Sequence, residues 1–361
     1  MKVGAIPGGP IEWLLLKMNM IPTPLIDSFS AMMNAKAILA ANELGLFDAL
    51  AERPLAADEL AERLGASVRG TSDLADALCA NGYLRRAGDR LSLSRISRKW
   101  LVRSSPGYIG HMLEHVNDLW SVWLNLEEAV RAGRPPAADY EDWLKDEDYR
   151  RILRRHIVGL RDAARLTAPE VLRAVRLPAL KGASGADSTP RRLLDIGGGH
   201  GGYSVAFCEK YADLTATVFD LEGTAEIGRE IVVRERMGDR VEFQVGDFLK
   251  DDFDTGYAAA LYFNILHNFS AGDNRLVLAK AFDSLRPGGL LAAWDMFKEP
   301  GGGSDAQPAL MALHMLVASG GTSYLINEVD GWLGEIGFRR ILHKKTRTLP
   351  GFTLVIARKP S

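Results

Sequence analysis

The chain has 361 residues, of which 47% are hydrophobic and 25% charged, with a formal net charge of -2 at pH 7. This composition excludes a disordered chain or a fibre, and the length suits about two folded domains. The near-neutral charge gives no general attraction to nucleic acid or to an anionic membrane. The two cysteines, Cys79 and Cys208, lie far apart in apolar helical segments. They predict buried reduced thiols and a cytoplasmic protein, without a disulfide framework or a cysteine-based zinc site.

The N-terminal segment WLLLKMNMIPTPLI is apolar, but Lys17 and two prolines interrupt it before it reaches the length of a membrane span. Neither a strongly basic start nor a small-residue cleavage site marks a signal peptide. We therefore expect a helix that packs on its own chain or on a partner chain.

Residues 35–103 have the pattern of a winged helix-turn-helix. ADELAERLGA predicts the first two helices, VRGTSDLADALCANGYL the next, and RRAGDRLSLSRIS the wing. Such a module raises the hypothesis of a DNA-binding regulator. Charge argues against it, because basic and acidic residues are nearly equal in number over the first 100 positions and phosphate contacts need a basic excess.

A Gly/Ser/Ala/Pro stretch, KGASGADSTP at 181–190, reads as a linker between two halves of the chain. After it come five apolar runs: RRLLDI, TATVFD, VEFQVGD, YAAALYFNIL and LLAAWDMF. Each is followed by a predicted helix, and this alternation indicates an α/β fold with a doubly wound parallel sheet. The tail FRRILHKKTRTLPGFTLVIARKP predicts two antiparallel strands at the sheet edge, joined by a Pro-Gly turn.

The stretch LLDIGGGHGGYS places glycines between the first strand and the next helix, where backbone can approach a cofactor closely. Gly197, Gly199 and Gly202 also fit the dinucleotide spacing, so NAD stays possible on spacing alone. Asp220 ends the second strand, where a carboxylate can accept the hydroxyls of a ribose. Asp247 and Phe248 follow the third strand, at the edge where ligands of open α/β sheets bind.

The series LLDIGGGHGGYS, TVFDLEGT, DRVEFQVGDF, NILHNFS and LRPGGLLAAWD, in this order, resembles the S-adenosylmethionine-dependent O-methyltransferases of the two-domain type found in plants and in bacterial secondary metabolism. The resemblance covers nearly the whole chain. It implies a dimerisation domain at 1–105, a helical linker at 106–180 that contributes to the acceptor pocket, and a Rossmann-like catalytic domain at 191–361. It also implies a homodimer, with S-adenosylhomocysteine as the product.

The resemblance implies that one set of residues binds S-adenosylmethionine, from its methionine end and ribose to its adenine. These are Asp195, Gly197, Gly199, Asp220, Leu221, Gly246, Asp247, Phe248 and Asn264.

The same resemblance makes His267 the general base, with Asp295 as its acidic neighbour. Methyl transfer from a sulfonium is an in-line displacement, and a hydroxyl attacks better as its proton leaves, so a histidine suits this place. Two departures weaken the match: many relatives carry His-Asp-Trp where this chain has His267, Asn268 and Phe269, and Ser323 stands where plant members place Glu. C- or N-methylation, or chemistry without methyl transfer, therefore stays open.

The segment IGHMLEHVNDLWSVWLNLEEAV carries an apolar face at helical spacing, for which core packing is the ordinary interpretation. The resemblance instead implies that this helix and the helix with His156 cover the pocket of a flat aromatic acceptor; a fatty or isoprenoid pocket is the alternative. The acceptor residues it implies are His111, Met112, His115, Trp120, His156, Asn268 and Met311.

No metal site is predicted, since His111 and His115 alone among the seven histidines have i, i+4 spacing and no carboxylate-rich motif accompanies them. His200 follows the three consecutive glycines. It is expected either to hydrogen-bond locally or to approach the cofactor.

Overall fold

The computed structural model describes residues 7–136, 147–177, 191–301 and 306–361. The chain divides into two compact units, Lys2–Trp120 and Ser121–Ser361. The predicted domain boundaries at 105 and 180 stay a prediction, and the predicted linker at 181–190 lies outside the described residues.

The N-terminal unit is mostly helical around an apolar core, with a small sheet. Its helices are α1 Pro10–Lys17, α2 Thr23–Leu25 with a π-helical turn at Ile26–Ser30, α3 Ala31–Glu43, α4 Leu46–Ala49, α5 Ala57–Leu64, α6 Val68–Ala80 and α7 Arg95–Trp100. Its strands are β1 Leu55–Ala56, β2 Leu84–Ala87 and β3 Arg90–Leu93. Strands β2 and β3 pair antiparallel at the place of the predicted wing.

Two sequence predictions, both on residues of this unit, need correction: the helices of ADELAERLGA and the burial of Cys79. ADELAERLGA forms one helix, α5, and not two, because Gly65 adopts a left-handed conformation that ends it after eight residues. Cys208 is buried as predicted, whereas Cys79 is only partly buried; both are free thiols.

Helix α8, Gly110–Trp123, begins in the N-terminal unit and ends in the C-terminal one. Of its residues, all of which are described, only Gly110 is buried. Leu113 of this helix packs against the N-terminal core, and the rest of the apolar face predicted for it is partly exposed in the single chain.

The C-terminal unit alternates strands and helices. Its helices are α9 Leu126–Ala132, α10 Glu147–Ala174, α11 Gly202–Lys210, α12 Glu222–Arg234, α13 Ala271–Ser284, α14 Ala306–Ala318 and α15 Ile326–Ile336, with a 3₁₀ turn at Leu266–Asn268. Its strands are β4 Arg191–Ile196, β5 Leu214–Asp220, β6 Val241–Val245, β7 Tyr257–Phe263, β8 Leu285–Asp295, β9 Arg339–Lys345 and β10 Thr353–Arg358.

Seven strands of the described C-terminal residues form one sheet in the order β6-β5-β4-β7-β8-β10-β9. Strands β4 to β8 are parallel, and β10 is antiparallel to both β8 and β9. Successive side chains of a strand point to opposite faces, so Leu193 enters one core while Leu194 and Ile196 enter the other. Helices cover both faces, which confirms the doubly wound α/β prediction.

The strand order reverses direction at β4, which lies between β5 and β7. The carboxyl ends of strands at such a switch point enclose a crevice, and ligands of open α/β sheets bind there. The glycine-rich stretch begins directly at this end of β4.

The helix predicted after VEFQVGD is wrong. Residues 246–256 contain a turn at 248–250 and otherwise irregular chain that leads into β7, and the Asp251 carboxylate accepts the Asp247 N–H at 2.8 Å within this stretch. The two antiparallel tail strands are confirmed: β9 is the exposed edge of the sheet, and β10 lies between it and β8.

Candidate active site

The glycine loop after β4 depends on backbone conformations that side chains rarely adopt. Gly197 has φ 63° and Gly199 has φ 48°, both in the left-handed region that glycine enters without a steric cost. A Cβ at Gly197 would lie 2.7 Å from Cδ1 of Ile265. The loop therefore packs closely against the segment that follows β7.

Asp220, at the end of β5, holds this loop in place. One carboxylate oxygen accepts the Gly199 N–H and the other accepts the Leu221 N–H, both at 2.8 Å. The carboxylate is buried, and burial raises the pKa of Asp220 to about 6. Each oxygen keeps a further lone pair that can accept a hydroxyl proton from a ligand.

Asp195 is the second buried carboxylate here. Its Oδ2 accepts the hydroxyl of Ser204 at 2.7 Å, and the residue is 1% exposed. Burial raises the pKa of Asp195 to about 7, and the nearby charge of Asp220 acts in the same direction. Among the described residues, no lysine or arginine forms an ion pair with either carboxylate. A ligand with positive charge and hydrogen-bond donors would suit this pair.

His200 fixes the turn from the loop into α11. Its Nδ1 accepts the Gly202 N–H at 2.8 Å, two residues on, as the side chain of an Asx turn does. Burial lowers the pKa of His200 to about 3, and the nearby charges of Arg161 and His156 act in the same direction. The imidazole therefore stays neutral, and of the two alternatives that the sequence left open for His200, the structure shows the local hydrogen bond.

Helix α10 contributes a residue that sequence reasoning missed. Arg161 lies beside Gly202, and its Nε donates to Glu235 Oε1 at 2.8 Å. One turn earlier, Ile157 faces Gly199. The i, i+4 spacing of these two residues was the available signal, but nothing in the sequence indicated that this face meets the glycine loop.

The segment after β6 supplies Asp247 and Phe248. The Phe248 ring is buried and meets the Phe269 ring edge to face, with centroids 5.1 Å apart. Asp247 is more exposed; its carboxylate pairs with Lys250 at 2.9 Å, and this contact holds the pKa of Asp247 below its usual range. Gly246 is required for packing, because a Cβ there would overlap the Phe219 ring.

His267 and Asp295 form a buried pair at the carboxyl ends of neighbouring strands. His267 lies in the 3₁₀ turn after β7, and Asp295 is the last residue of β8. Nδ1 of His267 lies 2.7 Å from Oδ1 of Asp295, and the backbone N–H of His267 donates to Oδ2 at 3.2 Å. With Nδ1–H donating to the carboxylate, Nε2 is the nitrogen that can accept a proton.

The segment 321–324 packs behind this turn. A Cβ at Gly321 would overlap the carbonyl oxygen of His267, and the Tyr324 hydroxyl donates to the Phe269 carbonyl at 2.7 Å. Ser323 lies between them; its hydroxyl is buried and has no hydrogen-bond partner among the described residues. A neutral hydroxyl thus occupies the position where the resemblance places a second acid.

Asn264, between β7 and the turn, has φ 58° and donates its backbone N–H to the Trp294 carbonyl at 2.8 Å. Asparagine tolerates this left-handed conformation better than most residues. It connects β7 to the turn that carries His267.

The residues predicted to bind the acceptor divide between the two units, and their role stays a prediction. His111, Met112, His115 and Trp120 belong to the N-terminal unit, and His156, Asn268 and Met311 to the C-terminal unit.

Sequence reasoning also missed His314, on α14. The indole N–H of Trp123 donates to His314 Nδ1 at 3.1 Å, and the two rings lie parallel with centroids 6.0 Å apart. Helix α14 packs against the 3₁₀ turn that carries His267. The available signal was the i, i+3 spacing from Met311, which places both residues on one helix face.

Within the described ranges, no group of three or more His, Cys, Asp or Glu residues is arranged to hold a metal ion. In the same ranges, no helix combines the length and the apolar character needed to cross a membrane.

Comparison with known proteins now identifies the family. Residues 123–339 match the O-methyltransferase domain, and residues 26–103 match the O-methyltransferase dimerisation domain. The chain belongs to the O-methyltransferase family. It is an S-adenosylmethionine-dependent methyltransferase, so the resemblance is confirmed and the cofactor that loop spacing left open is decided.

Two relatives illustrate the range of the family. The chain is 30% identical over 319 residues to the 3-hydroxy-5-methyl-1-naphthoate 3-O-methyltransferase of Streptomyces sahachiroi, covering 88% of this chain and 89% of that one. It is 28% identical over 345 residues to the N,N-dimethyltransferase OxyT of Streptomyces rimosus, covering 93% and 96%. Human N-acetylserotonin methyltransferase, solved in complex with S-adenosylmethionine, has the same fold, with a TM-score of 0.81, 23% identity and coverage of 99% and 100%.

The residues at the switch point fit this cofactor. Asp195 and Asp220 are buried carboxylates without a cationic partner among the described side chains, while the cofactor carries an ammonium, a sulfonium and two ribose hydroxyls. The glycine backbone allows close approach of such a ligand. When bound, S-adenosylmethionine supplies the methyl group as a substituent of its positively charged sulfur.

Proposed function

We propose that the protein is a homodimeric, cytoplasmic O-methyltransferase that methylates a hydroxyl of a small aromatic secondary metabolite, with His267 as general base. The observation that carries this proposal is the buried pair of His267 and Asp295. This pair lies at the carboxyl edge of the sheet. His267 comes two residues after Ile265, whose side chain packs against Gly197 of the cofactor loop.

The proposed chemistry follows from the tautomer that Asp295 favours. A hydroxyl oxygen attacks the methyl carbon in line with the departing sulfur, and it becomes a better nucleophile as its proton leaves. Nε2 of His267 takes that proton, and the Asp295 carboxylate stabilises the imidazolium that forms. His267 acts directly on the acceptor, whereas Asp295 acts through His267 and is a positioning residue.

We assign the cofactor contacts as follows. Asp220 accepts the ribose hydroxyls with the lone pairs that Gly199 and Leu221 leave free, and Asp195 faces the positively charged methionine end. Phe248 covers one face of the adenine, with Asp247 at its rim. These roles agree with the burial of the two carboxylates and with the buried Phe248 ring beside Gly197.

The homodimer and the aromatic acceptor have separate support. The match to the dimerisation domain covers residues 26–103, and the large apolar side chains of Trp13, Leu25 and Phe29 are about half exposed in the single chain. Such an exposed apolar surface is typical of a subunit interface. The naphthoate methyltransferase from Streptomyces sahachiroi acts on an aromatic hydroxyl according to its name, which favours the same acceptor class here.

N-methylation is the second candidate, favoured by the similarity to OxyT and by the neutral Ser323 behind the turn. Methyl transfer to matched aromatic alcohols and amines, followed by mass spectrometry, separates the two. The DNA-binding hypothesis has less support, because the winged region lies within the dimerisation match; a mobility-shift assay at low and high salt tests it.

The test of the proposed base is His267→Ala. We expect kcat to fall by about 10² to 10⁴, because no side chain is left to take the proton of the substrate hydroxyl. Affinity for S-adenosylmethionine, measured by calorimetry, should stay nearly unchanged. The control is His343→Ala, which removes a partly exposed histidine on the sheet edge. Unchanged methyl transfer by His267→Ala would contradict general-base catalysis by this residue.

A further inference from the structure

The contact between Trp123 and His314 fixes which nitrogen of His314 carries a proton. An indole N–H is only a donor, so His314 Nδ1, 3.1 Å away, must accept. A neutral imidazole has one protonated nitrogen, and its proton therefore lies on Nε2. The two ring planes lie within 4° of parallel, with centroids 6.0 Å apart, so the rings lie side by side along this hydrogen bond, which holds the imidazole in one orientation.

His314 remains neutral in this position. Burial lowers the pKa of His314, and the charge that His267 carries when protonated lowers it further. His314 is thus unsuited to compete with His267 for the proton of the acceptor. It presents an N–H donor and no charge.

The Nε2–H donor has no hydrogen-bond partner among the described residues. A partly buried donor without a partner lowers stability unless water or a ligand satisfies it. His314 shares a helix face with Met311, and its helix packs against the turn that carries His267. An acceptor bound at His267 would therefore lie within reach of a second, neutral donor.

The two histidines suit different atoms of the acceptor. The hydroxyl that attacks the methyl carbon donates to Nε2 of His267 and uses a lone pair for the new bond. A second donor on that oxygen would reduce its nucleophilicity. A donor on a neighbouring oxygen, in contrast, orients the ring without this effect.

We propose that His314 is a specificity-determining residue whose Nε2–H donates a hydrogen bond to a second oxygen of the acceptor, beside the hydroxyl that is methylated. The inference rests on the proposed function and narrows its substrate class to aromatic rings with a hydroxyl flanked by an ether, hydroxyl or carbonyl oxygen. Trp123 acts through His314 as a positioning residue.

The test compares two isosteric acceptors: a naphthol with a methoxy group beside its hydroxyl, and the same naphthol with an ethyl group there. They differ by one hydrogen-bond-accepting oxygen. We expect the full-length protein to favour the methoxy compound in kcat/KM by about tenfold, the factor that one neutral hydrogen bond typically gives. Binding of both naphthols to the protein loaded with S-adenosylhomocysteine, measured by calorimetry, should show the same preference.

Two variants test whether the preference for the methoxy naphthol depends on His314 and on Trp123. His314→Phe keeps an aromatic ring against Trp123 but removes both nitrogens, and it should methylate the two naphthols equally. Trp123→Phe keeps an aromatic ring at this position but removes the N–H donor to Nδ1, which frees the tautomer of His314, so the preference should shrink. His343→Gln, on the exposed β9, is the matched control and should keep the wild-type ratio.

Nitrogen-15 NMR of the histidine side chains gives a readout that needs no acceptor. In the wild type, His314 should show a protonated Nε2 and an unprotonated Nδ1 near neutral pH, and Trp123→Phe should give a mixture of tautomers. A protonated Nδ1 in the wild type would overturn the inference.

The outcomes separate the inference from the proposed function. Equal rates for both naphthols in the wild type, or an unchanged preference in His314→Phe, overturn the role of His314 and leave O-methylation standing. Absence of both binding and methyl transfer for either naphthol overturns the aromatic acceptor class, and the role of His314 with it.

Discussion

The substitution Asp295→Asn tests how His267 is positioned. Asn keeps the size of the side chain and one oxygen, but it removes the negative charge 2.7 Å from the imidazole. A hydrogen bond to a charged group contributes about 1.5 to 3 kcal/mol, and about 1.4 kcal/mol corresponds to a tenfold change in rate. We therefore expect kcat to fall by about 10- to 150-fold, because the imidazolium that forms during the reaction loses its partner.

The assay is methyl transfer to an accepted aromatic alcohol at saturating cofactor, with cofactor affinity measured separately by calorimetry. The matched control is Asp330→Asn, which removes the charge from a second His–Asp pair, that of His343 and Asp330 at 2.8 Å. This pair is partly exposed, and such pairs contribute little, so its rate should not change. A wild-type kcat in Asp295→Asn, or an equal loss in Asp330→Asn, would refute the assignment of Asp295 as a positioning residue.

Three further outcomes follow from the cofactor loop. Asp220→Asn should weaken binding of S-adenosylmethionine by at least about tenfold, because the Gly199 N–H and the ribose would then share a neutral partner. Calorimetry measures this affinity. An unchanged affinity would remove Asp220 from the site. His200→Ala should raise KM for the cofactor with little change in kcat. His200→Asn should restore the wild-type KM, because the side-chain carbonyl of asparagine can accept the Gly202 N–H. A KM that stays raised in His200→Asn would contradict the role of Nδ1. Because the pKa of Asp195 is raised, the folded protein holds its proton more tightly than the unfolded chain does. In protein without added cofactor, the stabilisation that comes from this tighter proton binding by Asp195 should be complete below about pH 4 and should be lost as the pH rises to about 7. Chemical denaturation across this range should show a flatter profile in Asp195→Asn, and a profile as steep as wild type would assign the dependence to another group.

The sheet and the cofactor loop were predictable because their signals are local. Each apolar run that became a strand is short and β-rich, and the positions that follow the strands are fixed by chain order. The resemblance singled out His267 and Asp295, and parallel neighbouring strands, which bring their carboxyl ends together, explain why these two residues meet at one edge. Periodicity and strand order predicted the sheet, whereas the roles of the site residues came from the resemblance.

The helical contributions were not predictable in the same way. Arg161 and His314 lie on helices whose sequences show which residues share a face but not what that face meets. The helix expected after β6 failed for a different reason, since Asp251 accepts the Asp247 N–H and closes a local turn in the connection to β7. Tertiary packing decided what the faces with Arg161 and His314 meet, and a local turn decided this connection.

The acidic residues of the proposed site have different surroundings, from which we infer different roles. Asp295 is buried but paired with His267 and two backbone N–H groups, so its charge is satisfied by the protein itself. Asp195 and Asp220 are also buried, yet among the described residues only neutral donors satisfy them, and their pKa values rise. A carboxylate that the protein leaves without a cation is suited to a cationic ligand, whereas one with its own imidazole is suited to hold that imidazole in place. We therefore assign the loop pair to cofactor binding and Asp295 to the side of the acceptor, although all three residues lie at one edge of the same sheet.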